Sequence, residues 1–406
     1  MPRVLLMPLY ALSEYVIRIP AGALATALEK HRIPDKVRHV LTFGTKGRAG
    51  FYPTALIDFG FRPSIGLSFF ANDFPAPNSR FRTHFAWGGR DWWQVSVSDR
   101  FYFGDGATLN TPLAGSHFSA RFDYLSRPDY LHFGFGPTAA GESITRFTDK
   151  KLGGGVGLEL VFGHLDGLAI DASVYNHRLQ SGHPNEKRDE LSIEDRFDVS
   201  DPAQVPGWGG YTLLTAGADL TLDSRRARPA NGSGVRLEIG GDLNGDLENL
   251  PAWFVHLRGE VGAFIDLNDH NRVLAFRHNI QLIEPSAGAD VPLPEQIALG
   301  GPELMRGFRA GRYRGLSSMV TTVQYTYPIW VFLDGLVFVE TGNVFGQNLA
   351  GLHPEDWTLS FGMGVRSNSD RDAGFSVLFA AGTTPFSADK FAVDAFRLVI
   401  GTDRGF

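Results

Sequence analysis

Apolar and polar residues alternate along most of the chain beyond residue 52, in segments of roughly ten residues separated by Gly, Pro, Asn or Asp. The pattern is clearest in residues 357–366, and it recurs in residues 214–223, 235–242 and 253–266. In the first of these the apolar set is Trp357, Leu359, Phe361, Met363 and Val365, and the alternate set is Thr358, Ser360, Gly362, Gly364 and Arg366. Because successive side chains of a strand point to opposite faces, the alternation predicts strands with one apolar and one polar face.

Two architectures contain alternating strands of this kind, a soluble sandwich and a transmembrane barrel. Sandwich strands average about five or six residues, whereas strands that cross a membrane need about nine to eleven. No stretch approaches the roughly 18 uninterrupted apolar residues of a membrane helix. The segments therefore predict an all-β fold, a transmembrane antiparallel β-barrel. Sixteen or seventeen candidate strands can be counted, and we predict sixteen because single-chain bacterial barrels have even strand numbers.

The chain divides into a short N-terminal segment, residues 1–50, and a barrel, residues 51–406. Apolar residues of the N-terminal segment recur at helical spacing: Leu12, Tyr15, Val16, Ile19, Ala23, Ala27 and Leu28. This spacing predicts an amphipathic helical segment, in which case an export signal has been removed or lies upstream. The alternative is that the segment is itself a secretory signal, since Arg3 precedes an apolar run and small residues follow at 23–27.

Composition and motifs exclude several classes of function. The chain has no cysteine, so disulfides, thiol catalysis and cysteine-ligated metals are excluded. Its net charge of −6 is scattered, without the basic stripe of a nucleic-acid-binding protein, and we expect no nucleic-acid partner. The motifs of serine hydrolases, Walker-type nucleotide loops and zinc proteases are absent, so we expect no enzymatic activity and no cofactor. The 12 histidines lack close ligand spacing, and we expect no metal site.

One glycine-rich segment, residues 299–308, carries a more specific pattern. Its sequence is Leu-Gly-Gly-Pro-Glu-Leu-Met-Arg-Gly-Phe, and its distinctive residues are Gly300, Gly301, Arg306, Gly307 and Phe308. They resemble the Gly-Gly-x-x-x-x-Arg-Gly-Phe signature of the BamA/TamA family of outer-membrane barrels. The general alternative is an exposed loop with a solvated arginine. The resemblance implies instead that this segment is the family's sixth extracellular loop, which folds back into the barrel.

A second motif lies downstream of the loop. Phe338, Glu340 and Gly342 are similar to the family's Phe-x-Asp-x-Gly strand motif, with glutamate in place of aspartate. The resemblance implies a lumen-facing carboxylate that holds the loop arginine. The resemblance also implies that Gln324 occupies a lumen-facing position where many relatives carry glutamate, so that the local charge is less negative than is typical. An arginine drawn into the lumen loses hydration and needs acceptors for its donors, and Glu340 is the predicted partner of Arg306.

Two further motifs follow the same order as in the family. Residues Asp223, Arg225, Pro229 and Gly234 resemble its Leu-Asp-Thr-Arg…Pro…Gly turn between two strands. Near the C-terminus Phe396, Leu398 and Ile400 alternate before Phe406, which resembles the terminal-aromatic signal by which outer-membrane barrels are recognised during assembly. The family's periplasmic modules need about 75 residues each, so with residues 1–50 ahead of the barrel we expect a chain lacking them.

The resemblance implies insertion or translocation of polypeptides at the outer membrane of a Gram-negative-type envelope, as in proteins of the bacterial surface antigen type. Few hydrogen bonds are expected between the first strand, near residues 55–61, and the last, near 396–404, so that a client strand extends an open edge of this seam. Expected partners are membrane lipid, unfolded outer-membrane or secreted polypeptides, and a periplasmic accessory protein. Two alternatives remain open, a passive pore for small solutes and a structural or lipid-handling membrane scaffold.

Overall fold

A computed structural model of the 406-residue chain shows a closed β-barrel. The described residues are 30, 40–44, 47–58, 60–103, 115–137, 144–163, 165–184, 190–226, 232–248, 252–330, 333–367 and 375–402. The predicted helical segment, residues 1–50, therefore falls largely outside the described residues. Within them, no helix is long and apolar enough to cross a membrane.

Sixteen antiparallel strands close into one barrel, which confirms the predicted fold class and strand number. The strands are β1 Ala49–Asp58, β2 Ser64–Asn72, β3 Ser79–Trp87, β4 Trp93–Tyr102, β5 His117–His132, β6 Thr145–Val161, β7 Gly167–Ser181, β8 Tyr211–Asp223, β9 Gly234–Asp246, β10 Trp253–Asp266, β11 Val273–Pro285, β12 Ser317–Trp330, β13 Leu333–Phe345, β14 Thr358–Ser367, β15 Phe375–Thr383 and β16 Val393–Thr402. Each pairs with the next, and β16 pairs with β1. Short strands, Thr42–Phe43 and Leu191–Ser192, add to the edges of β1 and β6.

The two faces of the barrel wall have the chemistry that the alternation predicts. On β9 the apolar residues Val235, Ile239 and Leu243 are each more than half exposed on the outer face. Such a surface is unfavourable in water and suits lipid. On the inner face, Arg258 of β10 donates from Nη2 to Asp219 Oδ1 at 2.9 Å, and its Nη1 pairs with Asp242. Charged lumenal side chains are therefore neutralised by partners on neighbouring strands.

The barrel closes with a short pairing. Between β1 and β16 the described residues form two register pairs, Ile57 with Ile400 and Asp58 with Val399. The next shortest pairing of neighbouring strands, β14 with β15, has seven register pairs among the described residues. Strand β1 begins earlier than the predicted residue 55 and contains Pro53. Proline is tolerated in a strand whose outer edge makes few ladder hydrogen bonds, which explains how β1 extends past it.

Two long loops, together called the loop cap, cover one end of the barrel. The two longest connections, the β7–β8 loop (residues 182–210) and the β11–β12 loop (residues 286–316), emerge from the same end. They meet in an apolar cluster that contains Ile193 and Val205 of the first loop and Leu293 of the second. Arg314 lies beneath this cluster and donates from Nη1 to the carbonyl of Leu293 at 2.9 Å. Burial lowers the pKa of Arg314 to about 10, so its side chain remains charged at neutral pH and ties the Leu293 segment to the end of the same loop.

Candidate functional site

The β11–β12 loop turns into the lumen as a hairpin. Its stem pairs Ile297–Leu299 with Tyr313–Gly315, and its tip carries the glycine-arginine motif. Gly300 and Gly301 have φ values of +95° and +103°, which only glycine adopts without strain. A Cβ on Gly300 would lie 2.1 Å from the carbonyl oxygen of Arg309. The pair of glycines therefore permits the tight turn that directs the following residues toward the barrel wall.

Arg306 is held at the centre of the site by strand β13. Its Nε donates to Glu340 Oε1 at 2.8 Å and its backbone N–H donates to Oε2 at 2.7 Å. The guanidinium carbon lies 3.7 Å from the centre of the Phe338 ring, a cation–π contact. Glu340 is fully buried and Arg306 nearly so. One carboxylate thus binds both the side chain and the backbone of the same loop residue, and the expected contact between Arg306 and Glu340 is present.

Neighbouring residues complete the contacts of the tip. The backbone N–H of Gly307 donates to Ser360 Oγ at 2.7 Å, and that hydroxyl donates to Glu340 Oε2 at 3.0 Å. Phe308 is completely buried and makes an edge contact with Tyr313 at 5.2 Å between ring centres. A Cβ on Gly382 of β15 would lie 2.4 Å from the Phe308 ring. The missing side chain at Gly382 therefore provides the space into which Phe308 packs.

The β12 and β13 residues share the lumenal face. Gln324 lies opposite Phe338 in the register, and its Oε1 accepts a hydrogen bond from Arg306 Nη1 at 2.9 Å. Its amide nitrogen donates to Thr326 Oγ1 at 3.2 Å. A glutamate has no such donor, so the neutral side chain satisfies both neighbours. Gly342 allows β12 and β13 to approach closely, because its Cβ would lie 2.1 Å from the carbonyl oxygen of Met319.

The turn motif forms its own ion pair between β8 and β9. Arg225 Nη2 donates to Asp223 Oδ2 at 2.6 Å, and both residues are buried. The guanidinium lies 4.0 Å from the centre of the Phe264 ring. Gly234 has a φ of +157°, and a Cβ there would lie 2.9 Å from the backbone nitrogen and from Cγ of Arg225. Pro229 lies outside the described residues. Arg225 and Arg306 line the same lumenal cavity, of about 400 Å³.

Strand β16 contains a functional candidate that the sequence motifs did not indicate. Phe396 and Leu398 face outward, and Ile400 pairs with Ile57 at the closure. Phe406 lies outside the described residues. Arg397, between the two outward residues, is buried in the lumen and binds the carboxylate of Asp58. The available signal was an arginine on the polar face of the last strand, with an aspartate on the first.

No potential metal centre, defined as at least three clustered His, Cys, Asp or Glu side chains, occurs in the part of the chain that the structure describes. The described site instead consists of arginines held by carboxylates, an amide and aromatic rings. Such groups fix positions by hydrogen bonds and charge. The arrangement therefore supports a mechanical role, in which a loop is anchored to one wall of the barrel.

A family model of the Omp85 superfamily domain matches residues 78–402, which include β3 to β16. The chain belongs to the Omp85 superfamily. A search of curated proteins found no match. With the barrel fold, membership of the superfamily identifies an outer-membrane barrel of the insertion and translocation type. The resemblance to the BamA/TamA family, stated from the sequence motifs, is thereby confirmed.

Solved structures share the architecture of this Omp85 barrel at low sequence identity. BamA from Haemophilus ducreyi lacking POTRA domains 1–3 matches with a TM-score of 0.59 and 13% identity, over 87% of this chain and 70% of that chain. CdiB from Escherichia coli matches with a TM-score of 0.50 and 12% identity, over 89% of this chain and 64% of that chain. This chain thus spans less than two thirds of that CdiB chain, and at such identities the likeness concerns the fold.

Proposed function

We propose that this barrel inserts or translocates polypeptides through the seam between β1 and β16. The observation that carries the proposal is the short closure, with two register pairs among the described residues against seven or more at every other junction. Fewer ladder hydrogen bonds lower the free energy of separating two strands. The seam is therefore the junction at which separating two strands of the wall requires the least free energy.

An open seam offers a template for a client strand. Residues 51–56 of β1 pair with β2, and on their other edge the described residues provide no register partner. An extended segment of a client adds to such an edge by backbone hydrogen bonds, whatever its side chains. The lipid-facing side chains of the client then enter the bilayer directly. Sequence-independent recognition suits a factor that handles many different polypeptides.

The anchored loop keeps the rest of the barrel in shape while the seam opens. Through Arg306 the tip binds β12 and β13, and through Gly307 it binds β14. These contacts join three consecutive strands on the lumenal side. They oppose distortion of this wall, so the strain of opening falls on the β1–β16 junction.

The proposed clients are unfolded outer-membrane or secreted polypeptides, and membrane lipid is the second partner. The proposed location is the outer membrane of a Gram-negative-type envelope. A periplasmic accessory protein would deliver clients to the end of the barrel opposite the loop cap. The proposal includes no covalent step, no cofactor and no enzymatic activity, because the work consists of exchanging one strand pairing for another.

Reconstitution of the purified chain into liposomes tests this function. An unfolded test barrel is added, and its insertion is scored by protease protection over time. We expect insertion at least about tenfold faster than into empty liposomes, since the seam provides a preformed edge that lipid alone lacks. Heat-denatured protein in the same lipid is the matched control. Rates equal to those of empty liposomes would contradict the proposal.

The same liposomes distinguish the second candidate, a passive pore. The charged lumen favours this reading, because a cavity lined by charged side chains of both signs, such as Arg236, Glu238 and Arg258, suits the passage of hydrated ions. The loop cap and the anchored hairpin oppose it, since both lie across the route. Ion conductance without accelerated insertion would favour the pore over an insertase that acts without its accessory protein.

A further inference from the structure

A single arginine connects the seam to the anchored loop. Arg397 of β16 donates from Nε to Asp58 Oδ1 at 2.9 Å and from Nη2 to Asp58 Oδ2 at 2.8 Å, so it binds both oxygens of a carboxylate on β1. Its remaining terminal nitrogen, Nη1, donates to the carbonyl oxygen of Arg306 at 3.3 Å. Arg397 is 2% exposed. It therefore contacts both sides of the closure and the tip of the β11–β12 loop.

We propose that Arg397 acts as a latch: its contacts stabilise the closed seam, and they couple opening of the seam to the position of the loop tip. The proposal rests on the proposed function, because a latch matters only if the seam opens. At a junction with two register pairs, a bidentate, buried ion pair is a large share of the strand-to-strand attraction. Arg397 is thus a positioning residue, which acts on β1 and on the loop rather than on a client.

The Asp58 side of the latch is held in place by the cap. The turn after β1 is closed by a hydrogen bond from the Phe61 N–H to the Asp58 carbonyl, at 3.0 Å. The carbonyl of Gly60 accepts a hydrogen bond from Arg146 Nη2 at 2.7 Å. Arg146 is itself bound by Glu190 of the β7–β8 loop, with Nε to Oε2 at 2.6 Å. Because the end of β1 is fixed to the cap, release of Arg397 frees β16 to move away from it.

Each contact of Arg397 has a different consequence. Opening the seam separates Asp58 from Arg397 and leaves two charges that only lumenal water can solvate, which disfavours the open state. The bond to the Arg306 carbonyl requires the loop tip to be seated on β13. When the tip leaves, Arg397 loses one acceptor and part of its orientation. The latch is therefore strongest when the loop is anchored, and loosening of the loop is coupled to opening of the seam.

Backbone hydrogen exchange of the protein in lipid nanodiscs measures both effects without a client. Exchange of strand amides follows the population of opened states. We compare the wild type with Asp58→Asn, which keeps the size of the side chain and the Arg397–Arg306 bond, and with Arg397→Ala, which removes both contacts. The matched control is Arg258→Ala, because Arg258 is a lumenal arginine paired with Asp219 and Asp242 far from the seam.

We expect Asp58→Asn to accelerate exchange in β16 near Ile400 at least about tenfold, since it removes the charge of a buried pair, with the loop tip unchanged. Arg397→Ala should accelerate both β16 and the amides of Arg306 and Gly307. Arg258→Ala should change neither. Amide exchange rates in β16 within twofold of the wild type in both variants would overturn the latch. An unchanged exchange rate of the loop-tip amides in Arg397→Ala would overturn the coupling. Insertion activity is measured in a separate assay, so failure of the latch is distinguishable from failure of the proposed function.

Discussion

Glu340→Ala is expected to release the loop tip from the barrel wall and to lower the free energy of unfolding by about 3–5 kcal/mol. Glu340 accepts hydrogen bonds from the backbone and the side chain of Arg306 and from Ser360. Its removal takes away the carboxylate that binds both the side chain and the backbone of Arg306. The measurement is the temperature at which the folded band is lost on a semi-native gel, together with the urea midpoint in detergent. Both should fall.

The comparison with Arg306→Ala and with the double variant tests whether the two residues act as a pair. Because they share one interaction, the loss in the double variant should be well below the sum of the two single losses. Glu260→Ala is the matched control, since Glu260 contacts Arg277 at 3.8 Å in a partly exposed pair and should cost no more than about 1 kcal/mol. Equal losses for Glu340→Ala and Glu260→Ala would refute the anchoring role of Glu340.

Gly307→Ala is expected to dislodge the loop tip, although it adds only one methyl group. A Cβ on Gly307 would lie 2.1 Å from the carbonyl oxygen of Ala381 in β15. That oxygen belongs to the barrel wall, so the tip must retreat, and overpacking of this kind costs about 1–3 kcal/mol or more. We expect lower heat resistance and insertion activity reduced at least about fivefold, since the same retreat weakens the Arg306 contacts.

Gly259→Ala is the matched control for this substitution. Its Cβ would lie 3.5 Å from the Ile280 side chain, an ordinary contact distance. The variant should therefore keep wild-type heat resistance, and the slight loss of chain entropy in the unfolded state favours it. If Gly307→Ala behaved like Gly259→Ala, the loop tip would not be seated against β15 as described.

The alternation of residues was sufficient to predict the barrel and the two faces of its wall. Outward positions such as Val235 and Ile239 follow from the two-residue period, because a one-residue shift of register would turn the whole apolar set into the lumen. The pairing of Arg306 with Glu340 was predictable from motifs, because a buried arginine requires a carboxylate and the spacing matched a known family. The length of β1 was predicted less well, since Pro53 resembles a strand break unless the outer edge is known to be open.

The ion pair across the seam could not be predicted from the sequence in the same way. Asp58 and Arg397 are 339 positions apart, and no local period relates them. Their contact depends on the register with which the last strand closes onto the first. That register depends in turn on the registers of all fifteen preceding strand pairs. The contribution of Arg397 to the loop anchor also escaped prediction, because it reaches the Arg306 backbone carbonyl, which has no side-chain signature.

Locking the seam tests most directly whether clients pass through it. The chain has no cysteine, and Ile57 lies opposite Ile400 in the register, at a separation that suits a disulfide between paired antiparallel strands. The variant Ile57→Cys with Ile400→Cys is reconstituted in liposomes, oxidised, and assayed for insertion of an unfolded test barrel before and after reduction. We predict that the oxidised protein inserts no faster than empty liposomes and that reduction restores the rate. Full activity of the oxidised, fully cross-linked protein would contradict the account.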